Sequence, residues 1–128
     1  MTREEFIKVL KKKGYSYKIE GDKIVINHRM GVVLRGLKTI PPGVEFNNGG
    51  DVYLGSLETL PPGVEFSNIG SVGLDSLKKI SDDVEFNNGV YVYLESLVGG
   101  SFEDWRGNIE GINNKKLLNL MIKKELFI

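Results

Sequence analysis

Cysteine is missing from all 128 positions, so no disulfide, thiolate nucleophile or cysteine-ligated zinc belongs to this protein. Histidine occurs once, at His28, and tryptophan once, at Trp105. A lone imidazole beside no second base or ligand is a poor start for metal binding or for activating a serine or threonine. Net charge is missing as well. The 17 basic and 17 acidic side chains cancel, which argues against a dedicated nucleic-acid binder. No run approaches the roughly 18 apolar residues of a membrane span. The opening Met1-Thr-Arg-Glu-Glu-Phe lacks the apolar stretch of a secretory signal, so a soluble cytoplasmic protein is expected. Phosphate-loop, dinucleotide, H-E-x-x-H and calcium-loop patterns are all absent. The acid pairs Asp82-Asp83 and Glu103-Asp104 are adjacent in sequence and fall in turns, where solvation accounts for them. Enzymatic chemistry is therefore not expected, nor is a metal or a cofactor.

What the chain has is self-similarity. Gly31-Val-Val-Leu34, Asp51-Val-Tyr-Leu54, Ser71-Val-Gly-Leu74 and Tyr91-Val-Tyr-Leu94 align without gaps at a spacing of 20. Val44-Glu-Phe-Asn-Asn48, Val64-Glu-Phe-Ser-Asn68 and Val84-Glu-Phe-Asn-Asn88 do the same, with Ile24-Val-Ile-Asn-His28 as a weaker first copy. A fixed period of this length implies stacked units sharing one continuous core. Within each unit, Val44 and Phe46, then Val52 and Leu54, alternate with outward residues, the period-2 mark of short strands with one buried face. Gly49-Gly50 and Pro61-Pro62-Gly63 turn the chain between them. The expected fold is mainly β: a 20-residue-repeat β-solenoid with parallel sheets. Copies of a position then stack about 4.8 Å apart. The buried columns are Val44, Val64, Val84; Phe46, Phe66, Phe86; Val52, Val72, Val92; Leu34, Leu54, Leu74, Leu94; and Leu37, Leu57, Leu77, Leu97, completed by Ile40, Leu60 and Ile80. Asn48, Asn68 and Asn88 form a polar column that can bond side chain to side chain and satisfy turn backbone left unpaired by the sheets, with His28 as its terminal member.

One domain, 1–128, is expected, in three parts. Residues 1–30 form a cap: Thr2 and Glu5 make a capping box, and Phe6, Ile7, Val9 and Leu10 an apolar stripe. Lys11-Lys-Lys13 suits the negative end of the helix dipole, and Gly14 ends the helix. Tyr17, Ile19, Ile24 and Ile26 then share one face of a hairpin turned at Gly21-Asp22. Residues 31–100 form the repeats. Residues 101–128 form a second cap, where Asn113-Asn114 starts an amphipathic helix carrying Leu117, Leu118, Met121 and Ile122. Phe102, Trp105 and Phe127 are available to cover the last strand edges.

Charge is distributed unevenly. Residues 1–30 carry eight Lys or Arg against four Asp or Glu, whereas 31–100 carry four against nine. The outward columns concentrate that acid. Glu45, Glu65 and Glu85 lie in register, and like charges about 5 Å apart repel by roughly 1 kcal/mol per neighbouring pair even in water. Lys38, Glu58 and Lys78 alternate in sign and are expected to neutralise one another. Tyr53, Tyr91 and Tyr93 point outward on the second strand, with Gly73 leaving a notch, and Asp75 and Glu95 add acid beside them. Exposed tyrosines among charges suit protein recognition. These eight residues, Glu45, Glu65, Glu85, Tyr53, Tyr91, Tyr93, Asp75 and Glu95, form the expected partner-binding set.

The units at 37–54 and 57–74 resemble short repeat proteins of bacteriophages and prophages and are distantly similar to leucine-rich repeats. So do the opening Glu5-Phe-Ile-Lys and Gly14-Tyr-Ser-Tyr-Lys-Ile-Glu-Gly-Asp-Lys-Ile24, and the closing Asn108-Ile-Glu-Gly-Ile112 with Lys116-Leu-Leu-Asn-Leu-Met-Ile122. The resemblance brings no catalytic motif. It implies a phage-encoded accessory protein acting in the bacterial cytoplasm, a group that includes anti-CRISPR proteins and other inhibitors of host defence. The third unit departs from the pattern, with Ser81-Asp82-Asp83 in place of Pro-Pro-Gly. The function expected is non-catalytic binding of a host protein with a basic surface. The alternatives are a structural role through self-association, or weak nucleic-acid binding through the lysines of the two caps.

Overall fold

The computed structural model describes residues 1–80, 83–90 and 92–93. The chain begins with helix α1, Arg3–Lys13, whose ends are closed by local chemistry. The Thr2 hydroxyl accepts from the Glu5 amide at 3.1 Å, and the Glu5 carboxylate accepts from the Thr2 amide at 3.1 Å. The Thr2 amide, and after it the Thr2 hydroxyl, hold the Glu5 carboxyl below the usual carboxylate range. Gly14 ends the helix at φ 74°, where its N–H reaches back to the Leu10 and Lys11 carbonyls. One face of α1 buries Phe6 and Leu10 in the core.

All remaining regular structure among the described residues is β. Strands β1 (Tyr17–Glu20) and β2 (Lys23–Ile26) form the antiparallel hairpin, turned at Gly21 with φ 60°. The others are two or three residues long: β3 Val32–Val33, β4 Val44–Phe46, β5 Val52–Tyr53, β6 Thr59–Leu60, β7 Glu65–Phe66, β8 Val72–Gly73, β9 Lys79–Ile80, β10 Glu85–Phe86 and β11 Val92–Tyr93. They pair into a five-stranded sheet ordered β1-β2-β4-β7-β10, a four-stranded sheet β11-β8-β5-β3 and a two-stranded sheet β6-β9. Every pairing except β1 with β2 is parallel and joins residues 20 apart: Ile24 to Val44, Phe46 to Phe66, Val52 to Val72, Leu60 to Ile80. The protein is thus mainly β, with parallel sheets and one short helix among the described residues.

A single hydrophobic cluster runs through all of it. Val44, Val64, Val84, Val52, Val72, Val92, Leu34, Leu54 and Leu74 are fully buried, and Ile40 and Leu60 nearly so. Burial of each side chain of this size contributes about 1.5–3 kcal/mol. The Phe46 and Phe66 rings stack with centroids 5.0 Å apart, and Phe66 and Phe86 at 5.2 Å, with planes within 7° of parallel. That spacing follows the strand separation, so ring stacking and sheet pairing reinforce each other.

Several features depart from the pattern in the sequence. The β6-β9 pair is an additional strand site in two of the units, Thr59–Leu60 and Lys79–Ile80. Leu37 is only half-buried, unlike Leu57 and Leu77. Ile19 is 48% exposed because β1 is the outer strand of its sheet. The edge strand β3 is closed by a side chain: the Tyr15 hydroxyl donates to the Val33 carbonyl at 3.1 Å and accepts from the Val33 amide at 3.0 Å. One tyrosine thus takes the place of a neighbouring strand. The expected C-terminal helix, with Leu94, Leu97, Phe102, Trp105 and Phe127, lies outside the described residues. Among the described residues no helix is long and apolar enough to cross a membrane.

Candidate protein-interaction surfaces

Alternation on β4, β7 and β10 sends valine and phenylalanine inward and the glutamate between them outward. Pairing then fixes Glu45 beside Glu65 and Glu65 beside Glu85. Glu45 and Glu65 are half-buried and Glu85 is exposed. The first strand of this face breaks the acidic column, because the residue paired with Glu45 is Val25, which is buried. Among the described residues, positive charge reaches the column at that end, where Lys23 Nζ lies 3.6 Å from Glu45 Oε1. The neighbouring Lys18 is engaged by Glu20 at 2.7 Å. Glu85 has an amide donor, Asn87 Nδ2, at 3.4 Å from Oε2. Glu65, in the middle, has a carboxylate on either side. The hydrogen bond it shares with the Glu45 side chain, then partial burial, then the Glu45 and Glu85 charges hold its carboxyl above the ordinary range, with Lys23 opposing.

The Lys38, Glu58 and Lys78 column behaves differently from the self-neutralising ladder expected. Its backbone runs in register, Glu58 N–H donating to Lys38 O at 2.9 Å and Lys78 N–H to Glu58 O at 2.8 Å. The side chains close no ion pair with one another, and Lys38 and Lys78 are exposed. An exposed lysine retains its hydration and rotamer freedom more favourably than it gains from such a pair.

The asparagine column is internal. Asn48 Nδ2 donates to the carbonyls of Met30, Gly50 and Asp51 at 3.0, 3.3 and 3.1 Å. Asn68 Nδ2 donates to Gly50 O and Ser71 O, both at 3.1 Å, and Asn88 Nδ2 to Gly70 O at 3.1 Å. Each amide therefore ties a turn to the turn beneath it, which is a structural task. His28 does not extend this column. Its Nδ1 accepts from the Ser16 amide at 3.3 Å and its ring packs on Tyr15 at 5.1 Å, because no earlier turn lies beneath it to offer a carbonyl.

On the four-stranded sheet, Tyr53 is 44% exposed and pairs across the ladder with Gly73. The notch expected at Gly73 is filled. A Cβ there would sit 3.0 Å from Tyr53 Cδ1, so the ring leans over the glycine backbone. The Tyr53 hydroxyl donates to Asp51 Oδ2 at 3.1 Å, and Asp51 Oδ1 accepts from the Ser71 amide at 2.8 Å. Tyr53 is thereby held at both ends. Beside it lies a shallow groove of about 420 Å³, lined by Arg29, Met30, Gly31, Val33, Gly49, Gly50, Asp51 and Tyr53. Sequence reasoning missed this groove, since its floor is glycine and its walls come from two different units.

Of the remaining expected partner-binding residues, Asp75 is exposed on the turn after β8. Tyr91, Glu95 and the Tyr93 side chain lie outside the described residues. In the third unit, the Asp83 carboxylate accepts from the Gly63 amide at 3.0 Å, tying that turn to the one before it. Among the described residues no cluster of His, Asp and Glu could hold a metal ion. No family model, curated protein or solved structure matches this chain.

Proposed function

We propose that the chain is a non-catalytic protein-binding module: a leucine-rich-repeat-like β-solenoid of 20-residue units whose acidic face engages a basic protein. The observation that carries this reading is the registered Glu45, Glu65 and Glu85 column, whose ion-paired cation among the described residues, Lys23, sits at its end. A self-contained fold gains nothing by stacking like charges about 5 Å apart, because each neighbouring pair opposes folding. A basic partner reverses that sign. Its lysines or arginines would relieve the repulsion and accelerate encounter, with strong dependence on salt. The resemblance to phage repeat proteins supplies the setting: an accessory protein in the bacterial cytoplasm that binds and inhibits a host protein, such as a CRISPR-Cas component or another defence nuclease.

The test is recovery from bacterial lysate with the native protein and with an E45K/E65K/E85K variant, read by mass spectrometry at 50 and 500 mM salt. A basic nuclease or effector subunit retained by the native protein at low salt only, and inhibited by it in a cleavage assay, is the expected result. Recovery of the same protein by both would refute the acidic face as the binding surface.

A further inference from the structure

Six large apolar side chains are exposed among the described residues: Met1, Ile19, Met30, Tyr53, Ile69 and Val90. Four of them fall on one side of the molecule. Met30, Ile69 and Val90 belong to the stacked turns that join the five-stranded sheet to the four-stranded one, and Tyr53 stands on the adjoining strand β5. The turns are locked in a backbone ladder, with Gly49 N–H donating to His28 O at 3.0 Å, Ile69 to Asn48 O at 3.2 Å and Gly89 to Asn68 O at 3.0 Å.

Ile69 is the most informative of the four. At the equivalent positions, Gly49 and Gly89, a Cβ would overlap the carbonyl oxygens of Arg29 and Ile69 in the turn below. The column runs Arg29, Gly49, Ile69, Gly89, and its third member is an isoleucine, 70% exposed and outside the core cluster. Burial in the core therefore does not account for this β-branched apolar residue. Met30, 71% exposed, is likewise outside the core. Met30 lines the 420 Å³ groove, whose floor is left by the absent Cβ atoms of Gly49 and Gly50 and whose rigid wall is Tyr53. Ile69 stands on the adjoining turn, where the Ile69 and Gly70 amides donate to the Asn48 and Gly50 carbonyls.

Charge within the groove selects the occupant. Its carboxylate, Asp51, already accepts at both oxygens, from Ser71 N–H and from the Tyr53 hydroxyl. Arg29 is exposed and makes no ion pair among the described residues. The groove thus presents apolar walls, a fixed aromatic and one uncommitted guanidinium, which seeks a planar carboxylate.

We infer that this groove is a second docking site, separate from the acidic face, for an extended protein segment that places an apolar side chain over Gly49 and Gly50 and an adjacent Asp or Glu on Arg29. Methionine, tyrosine and arginine are the residues that interfaces concentrate, and a pre-positioned tyrosine loses little freedom on binding.

The test is selection of random 12-residue displayed peptides on the immobilised full chain. Synthetic versions of the enriched peptides are then titrated against native protein and R29E, Y53A, I69G and E45Q/E65Q/E85Q variants. Peptides pairing an aromatic or aliphatic residue with Asp or Glu are expected. Their affinity should fall at least tenfold in R29E, Y53A and I69G and stay within twofold in the glutamate variant. I69G is the decisive member, because Ile69 is exposed and outside the core: its urea midpoint should stay close to that of the native chain while binding is lost. Enrichment of basic peptides that depend on the glutamates would overturn the groove and leave the acidic face standing. Peptides insensitive to R29E, Y53A and I69G, or no enrichment at all, would overturn it too. So would a concentration-dependent doubling of mass abolished by the same substitutions, which would assign the groove to a second copy.

Discussion

Replacing Glu65 with glutamine should stabilise the protein. Glu65 sits between Glu45 and Glu85 on neighbouring parallel strands, and Lys23, the cation that pairs with this column among the described residues, is bonded to Glu45 instead. At a strand spacing of about 4.8 Å, two unit charges in water repel by about 0.9 kcal/mol. With two neighbours the sum is about 1.7 kcal/mol at low salt. Screening over a Debye length of about 8 Å reduces it to about 1 kcal/mol at physiological ionic strength. With a urea dependence of about 1.5 kcal/mol per molar, the E65Q midpoint should rise by about 0.7 M at 0.15 M salt and more at 10 mM. The pH dependence has a defined sign. The folded protein holds the Glu65 proton more tightly than the unfolded chain does, because the neighbouring carboxylates raise its pKa. The native state therefore binds more protons in the window between the two values, and stability falls as pH rises through it. Below the unfolded carboxylate value, about 4.3, both states are protonated and native and E65Q proteins should converge. Above the raised folded value the full difference should appear. A lower midpoint for E65Q, or a gain equal in 10 mM and 1 M salt, would refute the repulsive ladder.

The phenylalanine stack should be most sensitive at its centre: F66A, which loses two ring partners, should destabilise by about 3–5 kcal/mol in urea, and F86A, 9% exposed, by less. Asn68→Ala removes one donor from the Gly50 and Ser71 carbonyls, which keep the Gly70 and Val52 amides, and should destabilise by about 0.5–1.5 kcal/mol, with faster amide exchange in the turns at 50 and 70 as its signature. Gly49→Ala should lower the thermal midpoint by several degrees, because its Cβ meets the Arg29 carbonyl, whereas Gly55→Ala, with open space around it, should leave the midpoint within a degree or two.

The legible part of the fold is what repetition and alternation encode. Valine and phenylalanine two apart, repeated every 20 residues, specify which residues pair, since a slip of one would turn Phe46, Phe66 and Phe86 to solvent. The helix was equally legible, because Thr2, Glu5 and Gly14 act through bonds within a few residues of chain. Features depending on contacts between units were not. Nothing local distinguishes a glycine that leaves a notch from one that a tyrosine covers, as at Gly73. The role of Tyr15 at the Val33 edge joins residues 18 apart and of unrelated pattern. The Lys38, Glu58 and Lys78 column shows the limit from another side. Register can be read from spacing, but ion pairing depends on a small balance of hydration and side-chain entropy.

The same reasoning locates function in the departures from the repeat. A position whose copies agree is explained by stacking, because stacking acts on every copy alike. Asn48, Asn68 and Asn88 agree, and each is accounted for by a carbonyl in the turn below. A position whose copies differ, where the fold favours one residue, carries information that stacking does not require. Ile69 is such a residue, exposed and outside the core between Gly49 and Gly89, the two positions at which a carbonyl of the turn below leaves no room for a Cβ. The glutamates are the converse case: copies that agree although mutual repulsion disfavours it. Both lie on the surface, on two separate faces, and among the described residues the glutamates are relieved only in part, by Lys23 at Glu45, by the hydrogen bond Glu65 shares with Glu45 and by Asn87 at Glu85. A surface that destabilises its own fold is relieved by what binds to it, so the two faces should respond independently, the glutamates to salt and pH and the Ile69 groove to neither.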